Sequence, residues 1–149
     1  MIGAPAPLAV GTKELIEGAR GLDGSLVVFE GEAIGDPMRR GDHVWVNLLD
    51  KDAAMGIYLP LSDLALIRSY GSYRSTGDIL RVSGVFNRAC PEHGGDMDIH
   101  ASSVLVVTRG RPSPRPVDRA MLVATPLALL LAGLLFLIWR RQGRSQEGR

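Results

Sequence analysis

A chain of 149 residues has room for one folded domain and short accessories, not for two cores. Its net charge of +1 hides an asymmetry: residues 12–108 carry nine Lys and Arg against fourteen Asp and Glu. That excess of acid argues against a phosphate-binding surface on the folded part, and the single cysteine, Cys90, excludes an internal disulfide.

In chain order, residues 1–11 lack a basic start and are interrupted by Pro5 and Pro7. They read as a disordered stretch rather than a complete signal peptide, although Ala4 to Ala9 also fits what remains after a cleavage site. Thr12 is placed to cap a short helix through Arg20, with Leu15, Ile16 and Ala19 on one side. Leu26 to Ile34 predicts a first strand with a bend at Gly31, and Gly35 to Asp42 predicts a turn-rich loop. Val44 to Leu49 and Met55 to Leu59 predict the second and third strands, joined by a hairpin turn and stopped by Pro60. Asp63 to Arg68 fits one or two helical turns. Ile79 to Phe86 and Ile99 to Thr108 supply strands four and five.

Alternation assigns Val44, Val46, Leu48, Met55, Ile57, Leu59, Leu80, Val82 and Phe86 to the interior. Trp45, Asn47 and Tyr58 then share the outer face of strands two and three. Three strands, a short helical insert and two more strands is the order of a five-stranded OB barrel, with a small SH3-like barrel as the alternative. The expected fold is therefore an all-β, OB-like barrel over residues 12–108 with a short N-terminal helix.

Residues 109–119, rich in Arg and Pro, read as an extended linker. Ala120 to Trp139 then carries no charge. At about 1.5 Å per residue, a helix of this length matches the roughly 30 Å hydrocarbon core, which predicts one C-terminal transmembrane helix and a lipid bilayer as partner. Trp139 sits where an interfacial aromatic belongs, and Arg140, Arg141 and Arg144 open a basic tail, residues 140–149. The positive-inside tendency favours that tail in the cytoplasm and the barrel outside it, with a cytosolic barrel on a tail anchor as the alternative.

The segments Glu30 to Asp36, Arg40 to Asn47 and Gly77 to Gly84 resemble OB-fold domains of the tRNA-anticodon-binding type. The loop Cys90-Pro-Glu-His-Gly-Gly-Asp96, followed by Met97-Asp-Ile-His-Ala101, resembles that of uncharacterised bacterial membrane-associated proteins. The likeness covers residues 12–108 and implies fold and topology more than activity. The architecture is also similar to the periplasmic haem chaperone of cytochrome c maturation, a membrane-tethered OB barrel.

Two sets of residues are candidates for function. OB folds commonly bind ligands on the face of strands two and three. Here Trp45, Asn47 and Tyr58, with Arg39 and Arg40 in the neighbouring loop, could take a small molecule or a protein partner. Stacking of a base on an aromatic ring is worth about 1–3 kcal/mol, but the acidic domain opposes single-stranded nucleic acid. The plainer role for Trp45 is packing beneath the N-terminal helix. The second set is Cys90, His93 and His100, a thiolate and two imidazoles able to hold a transition metal or haem if the loop folds back on itself. Asp96 and Asp98 add hard-ligand types within the same eleven residues, with backbone hydrogen bonding as their simplest use. No hydrolase or phosphate-loop motif is present, so the expected role is non-enzymatic binding.

Overall fold

The computed structural model describes residues 7–113, 124, 126–136 and 139. The chain divides into two units, Met1–Pro114 and Arg115–Arg149. The first contains β1 (Leu8–Ala9), α1 (Thr12–Glu17), α2 (Ala19–Leu22), β2 (Leu26–Arg40), β3 (His43–Leu49), β4 (Ala54–Pro60), a 3-10 helix (Leu61–Leu66), β5 (Ile79–Asn87), a 3-10 turn (Pro91–His93) and β6 (Asp98–Thr108).

The sheet runs β1-β2-β3-β4-β6-β5 and closes through pairing of β2 with β5. Strands β2 to β6 thus form a five-stranded ring in which β4 and β6 are parallel and the other neighbours antiparallel. A closed five-stranded ring with this order and a helical insert between its third and fourth strands is an OB-fold. Alternation is what builds its interior. Val44, Val46, Leu48, Met55, Ile57, Leu59, Leu80, Val82 and Phe86 are all buried, and Phe29 and Ile99 join them. Leu15 of α1 is also fully buried in this core, whereas Ile16 faces out.

Three local expectations are corrected. Residues 7–11 were assigned to a disordered stretch, yet Leu8 and Ala9 pair with Val27 and Val28 of β2; residues 1–6 lie outside the described residues. The helix starts one residue earlier than a Thr12 cap implies and breaks at Gly18. Thr12 cannot cap it, because its N–H donates to Asp50 Oδ2 at 2.6 Å and its hydroxyl to the Ala53 carbonyl. The loop expected at 35–42 is mostly strand: β2 continues to Arg40 across a register shift between Ile34 and Met38. Gly35, with φ of 68°, and Pro37 fall inside that irregularity, where a ladder N–H is not required. The helical turns expected at 63–68 are present, as the 3-10 helix Leu61–Leu66.

Residues 109–113, read as linker, continue to bond to the barrel unit. Thr76 N–H donates to the Arg111 carbonyl, and Ser113 N–H to that of Arg74. In the second unit, residues 126–136 are helical and their side chains, Leu127, Leu130, Leu134 and Phe136 among them, are exposed. Among the described residues no helix is long and apolar enough to cross a membrane. Residues 114–123, 125, 137, 138 and 140–149, which hold the rest of the expected linker, span and basic tail, lie outside the described residues.

Candidate metal centre

Between β5 and β6 the chain makes a compact loop that folds over the outer face of β4 and β6. Pro91 opens the 3-10 turn with its φ already set, and Gly94 and Gly95 adopt left-handed φ of 72° and 92° that reverse the chain. The loop is closed by its own amides: Cys90 N–H donates to the Asp96 carbonyl at 2.8 Å, and Gly95 N–H to the Cys90 carbonyl at 2.8 Å. This reversal aims His93 and Cys90 at the start of β6. There Asp98 and His100, two residues apart on a strand, point to one face.

Ligand atoms of Cys90, His93, Asp98 and His100 all lie within 4.8 Å of one another. Cys90 Sγ is 3.3 Å from His100 Nε2, which is itself 3.3 Å from Asp98 Oδ2. His93 Nδ1 bonds the same carboxylate oxygen. The other oxygen, Oδ1, accepts from Asn87 Nδ2 at 2.8 Å. Cys90 and Asp98 are 1% and 0% exposed, and the His93 side chain only 6%. Burial pushes the Cys90 thiol up, and the charge and hydrogen bonding of Asp98 add to this, while the amides of Glu92 and His93 partly offset it. A metal ion binding here would have to displace that proton.

An aromatic frame holds the imidazoles. Tyr58 lies edge-on to His93, with ring centroids 4.3 Å apart, and Trp45 meets the same ring at 5.2 Å and 81°. His43 stacks on Tyr58 at 4.6 Å and 10°. Parallel pairing of β4 with β6 places Gly56 beside Asp98 and Tyr58 beside His100. Gly56 has no side chain for a reason: a Cβ there would fall within the Trp45 indole, which lies across it.

The sequence candidates are therefore brought together only in part. Cys90, His93 and His100 meet. Asp98, counted in the sequence with Asp96 among the metal-ligand types of this stretch but left outside the three-residue set, completes the group; the signal that singles it out is its two-residue offset from His100. Asp96 is exposed and contributes its carbonyl to the loop. Trp45, Asn47 and Tyr58 do share the outer face, and Trp45 Nε1 donates to Asn47 Oδ1 at 3.0 Å. Trp45 packs on Gly56 and His93 there, while Leu15 meets the core on its own. Trp45, Asn47, Arg40 and Met38 form one wall of a cleft of about 350 Å³, with His93, Glu92 and Asp96 on the other. Arg39 is exposed and does not line it. Tyr58, covered by His43 and set against His93, frames the imidazoles instead of offering an open stacking surface.

No protein-family description matches the chain, and a search of curated proteins finds no match. Among solved structures it is similar to the OBody AM1L10 bound to hen egg-white lysozyme. The TM-score is 0.50 and the identity 16%, over 72% of this chain and all of that one. It is also similar to asparaginyl-tRNA synthetase from Pyrococcus horikoshii, with a TM-score of 0.47 and 16% identity. That match covers 67% of this chain, which spans 23% of the synthetase. Likenesses at this identity speak to fold alone. The OBody likeness agrees with the strand order in making this an OB-fold domain, and neither match lends anything to the membrane-associated family that the Cys90 loop resembles.

Proposed function

We propose that this chain is a non-enzymatic, membrane-tethered OB-fold module that binds a transition-metal ion through Cys90, His93, Asp98 and His100. The observation that carries this reading is the convergence of four donor atoms, of sulfur, nitrogen and oxygen type, within 4.8 Å of one another. One thiolate, two imidazoles and one carboxylate make a set that zinc takes with four ligands. Four protein ligands close the coordination sphere, so no position is left for a substrate, which supports binding over catalysis. The same convergence favours a bare ion over haem. Haem iron already has four equatorial nitrogens and needs axial ligands approaching a flat macrocycle, not four donors turned towards one point.

The tether is supported by the uncharged run from Ala120 to Trp139 and the arginines after it. Helical residues there expose Leu130 at 72% and Leu134 at 55%, apolar surface that lipid would cover. By the positive-inside tendency, the tail faces the cytoplasm and the barrel the opposite side.

The test is a Zn²⁺ and Co²⁺ titration of the full chain in detergent, wild type against Cys90→Ala combined with His100→Ala. Stoichiometric zinc and a thiolate-to-cobalt charge-transfer band, both absent from the double variant, are expected. A wild-type chain that takes up neither ion at micromolar excess refutes the metal reading. The tether fails separately if the full chain stays in the supernatant after lysis and ultracentrifugation without detergent.

A second reading, recognition of a small molecule or protein on the β3–β4 face, is favoured by the cleft of about 350 Å³ beside the centre. Native mass spectrometry of wild type and Trp45→Ala checks it. An adduct that copurifies with the first and not the second is expected, and none with either counts against it.

A further inference from the structure

We infer that Asn87 is a positioning residue which, by holding Asp98 to a single free oxygen, biases the centre towards a four-coordinate divalent ion. The inference deepens the metal reading above and rests on it.

Asn87 is the last residue of β5 and Asp98 the first of β6, and the antiparallel ladder sets them directly opposite. Across that pair the Asn87 amide donates to Asp98 Oδ1 at 2.8 Å. Oδ2 is the oxygen turned towards His93 Nδ1 and His100 Nε2. One carboxylate oxygen is thus occupied by an amide while its twin faces the donor cluster. So arranged, Asp98 offers a metal one oxygen instead of two. With Cys90, His93 and His100 that makes four ligands, the number zinc takes in closed sites, and far from the six to eight oxygens calcium seeks.

Charge balance points the same way. Cys90 and Asp98 are 1% and 0% exposed, so water cannot compensate them. A thiolate and a carboxylate together neutralise an ion of charge +2. A cuprous ion would leave one negative charge unbalanced in a dry site, which is costly. The thiolate and imidazoles by themselves would accept either ion. Asp98 makes the difference, and Asn87 keeps it in place. Outer partners that orient a metal ligand typically matter about 10–100-fold in affinity.

The experiment uses the full chain in detergent as wild type, Asn87→Leu and Asp98→Asn. Zn²⁺ and Cu⁺ affinities are measured by chelator competition, and Co²⁺ spectra are recorded. Asn87→Leu, near in size but without a donor, is expected to bind Zn²⁺ about 10–100-fold more weakly. Its Co²⁺ ligand-field bands should lose intensity as Asp98 turns to present both oxygens and the coordination number rises, a change that mere loosening of the fold does not produce. Asp98→Asn is expected to lower the ratio of Zn²⁺ to Cu⁺ affinity by more than about tenfold. An Asn87→Leu chain with wild-type Zn²⁺ affinity and an unaltered Co²⁺ spectrum overturns the positioning role while the metal reading stands. If Asn87→Leu does not fold, the Asp98→Asn ratio still decides: an unchanged ratio overturns the charge argument. A wild-type chain that binds no ion sinks the earlier reading, a result distinct from both.

Discussion

Replacing Asp78 with alanine should cost about 3–4 kcal/mol of stability, and the structure shows where that figure comes from. Asp78 lies just before β5 and is fully buried. Its Oδ2 accepts from Arg68 N–H and from Arg109 Nη1, each at 2.8 Å, and its Oδ1 accepts from Gly110 N–H at 2.8 Å. One carboxylate thus joins the end of the β4–β5 connection to the chain leaving β6. Alanine strands two backbone donors. At about 1.5 kcal/mol per charge-assisted bond, the low end because these amides lie near the surface, they contribute about 3 kcal/mol. The Arg109 side chain is 48% exposed and rehydrates when released, so its share is at most about 1 kcal/mol.

The measurement is urea unfolding followed by circular dichroism, with the shift in midpoint read at constant slope. Arg109→Ala should lose only about 1 kcal/mol in the same assay. A loss below about 1 kcal/mol in Asp78→Ala would refute the reasoning, because the buried carboxylate would then contribute no more than a surface ion pair. Acid sensitivity supplies a second check. Burial by itself raises the Asp78 carboxyl, but the bonds from Arg68, Gly110 and Arg109 hold it below its ordinary value of 3.8. A folded pKa below the unfolded one gives stability that is complete above about pH 4 and is lost as pH falls through the folded value. Asp78→Ala should therefore flatten the stability profile below about pH 4.

Three further outcomes are expected. Asp50 is held below 3.8 in the same sense: burial raises it, and the amides of Thr12, Ala53 and Asp52 outweigh that. Asp50→Ala should cost about 1–2 kcal/mol and speed amide exchange at Thr12 and Ala53; unchanged exchange would count against it. Gly56→Ala should drive the Trp45 indole from its seat at a cost of about 1–3 kcal/mol, with a shifted Trp45 indole N–H resonance and a weaker bond to Asn47. An unmoved resonance would show that the ring is held from elsewhere. Finally, free Zn²⁺ at a hundred times its Kd should stabilise the chain by about 2.7 kcal/mol, a gain abolished by chelator and missing in His93→Ala. Equal melting with and without Zn²⁺ would contradict the proposed centre.

The barrel interior was legible residue by residue because a strand exposes alternate side chains to opposite faces, and that period is local. Val44, Val46 and Leu48 announce the core, and Trp45 and Asn47 the outside, without knowledge of any partner strand. Cys90, His93 and His100 were readable as candidate ligands because their side-chain chemistry is a property of the sequence itself. Local signals misled where the chain bends hardest. Gly35, Asp36 and Pro37 carry turn chemistry, yet β2 runs on through them, because a closing ring uses such residues to shift register without breaking the strand. The role of Asp98 was decided elsewhere. It depends on Asn87 standing opposite, on β4 running beside it at Gly56, and on the burial that keeps it from water. Those neighbours are up to forty-two residues away along the chain. Which side chains share a strand face follows from sequence, but which strands share an edge, and in what register, is set only when the ring closes.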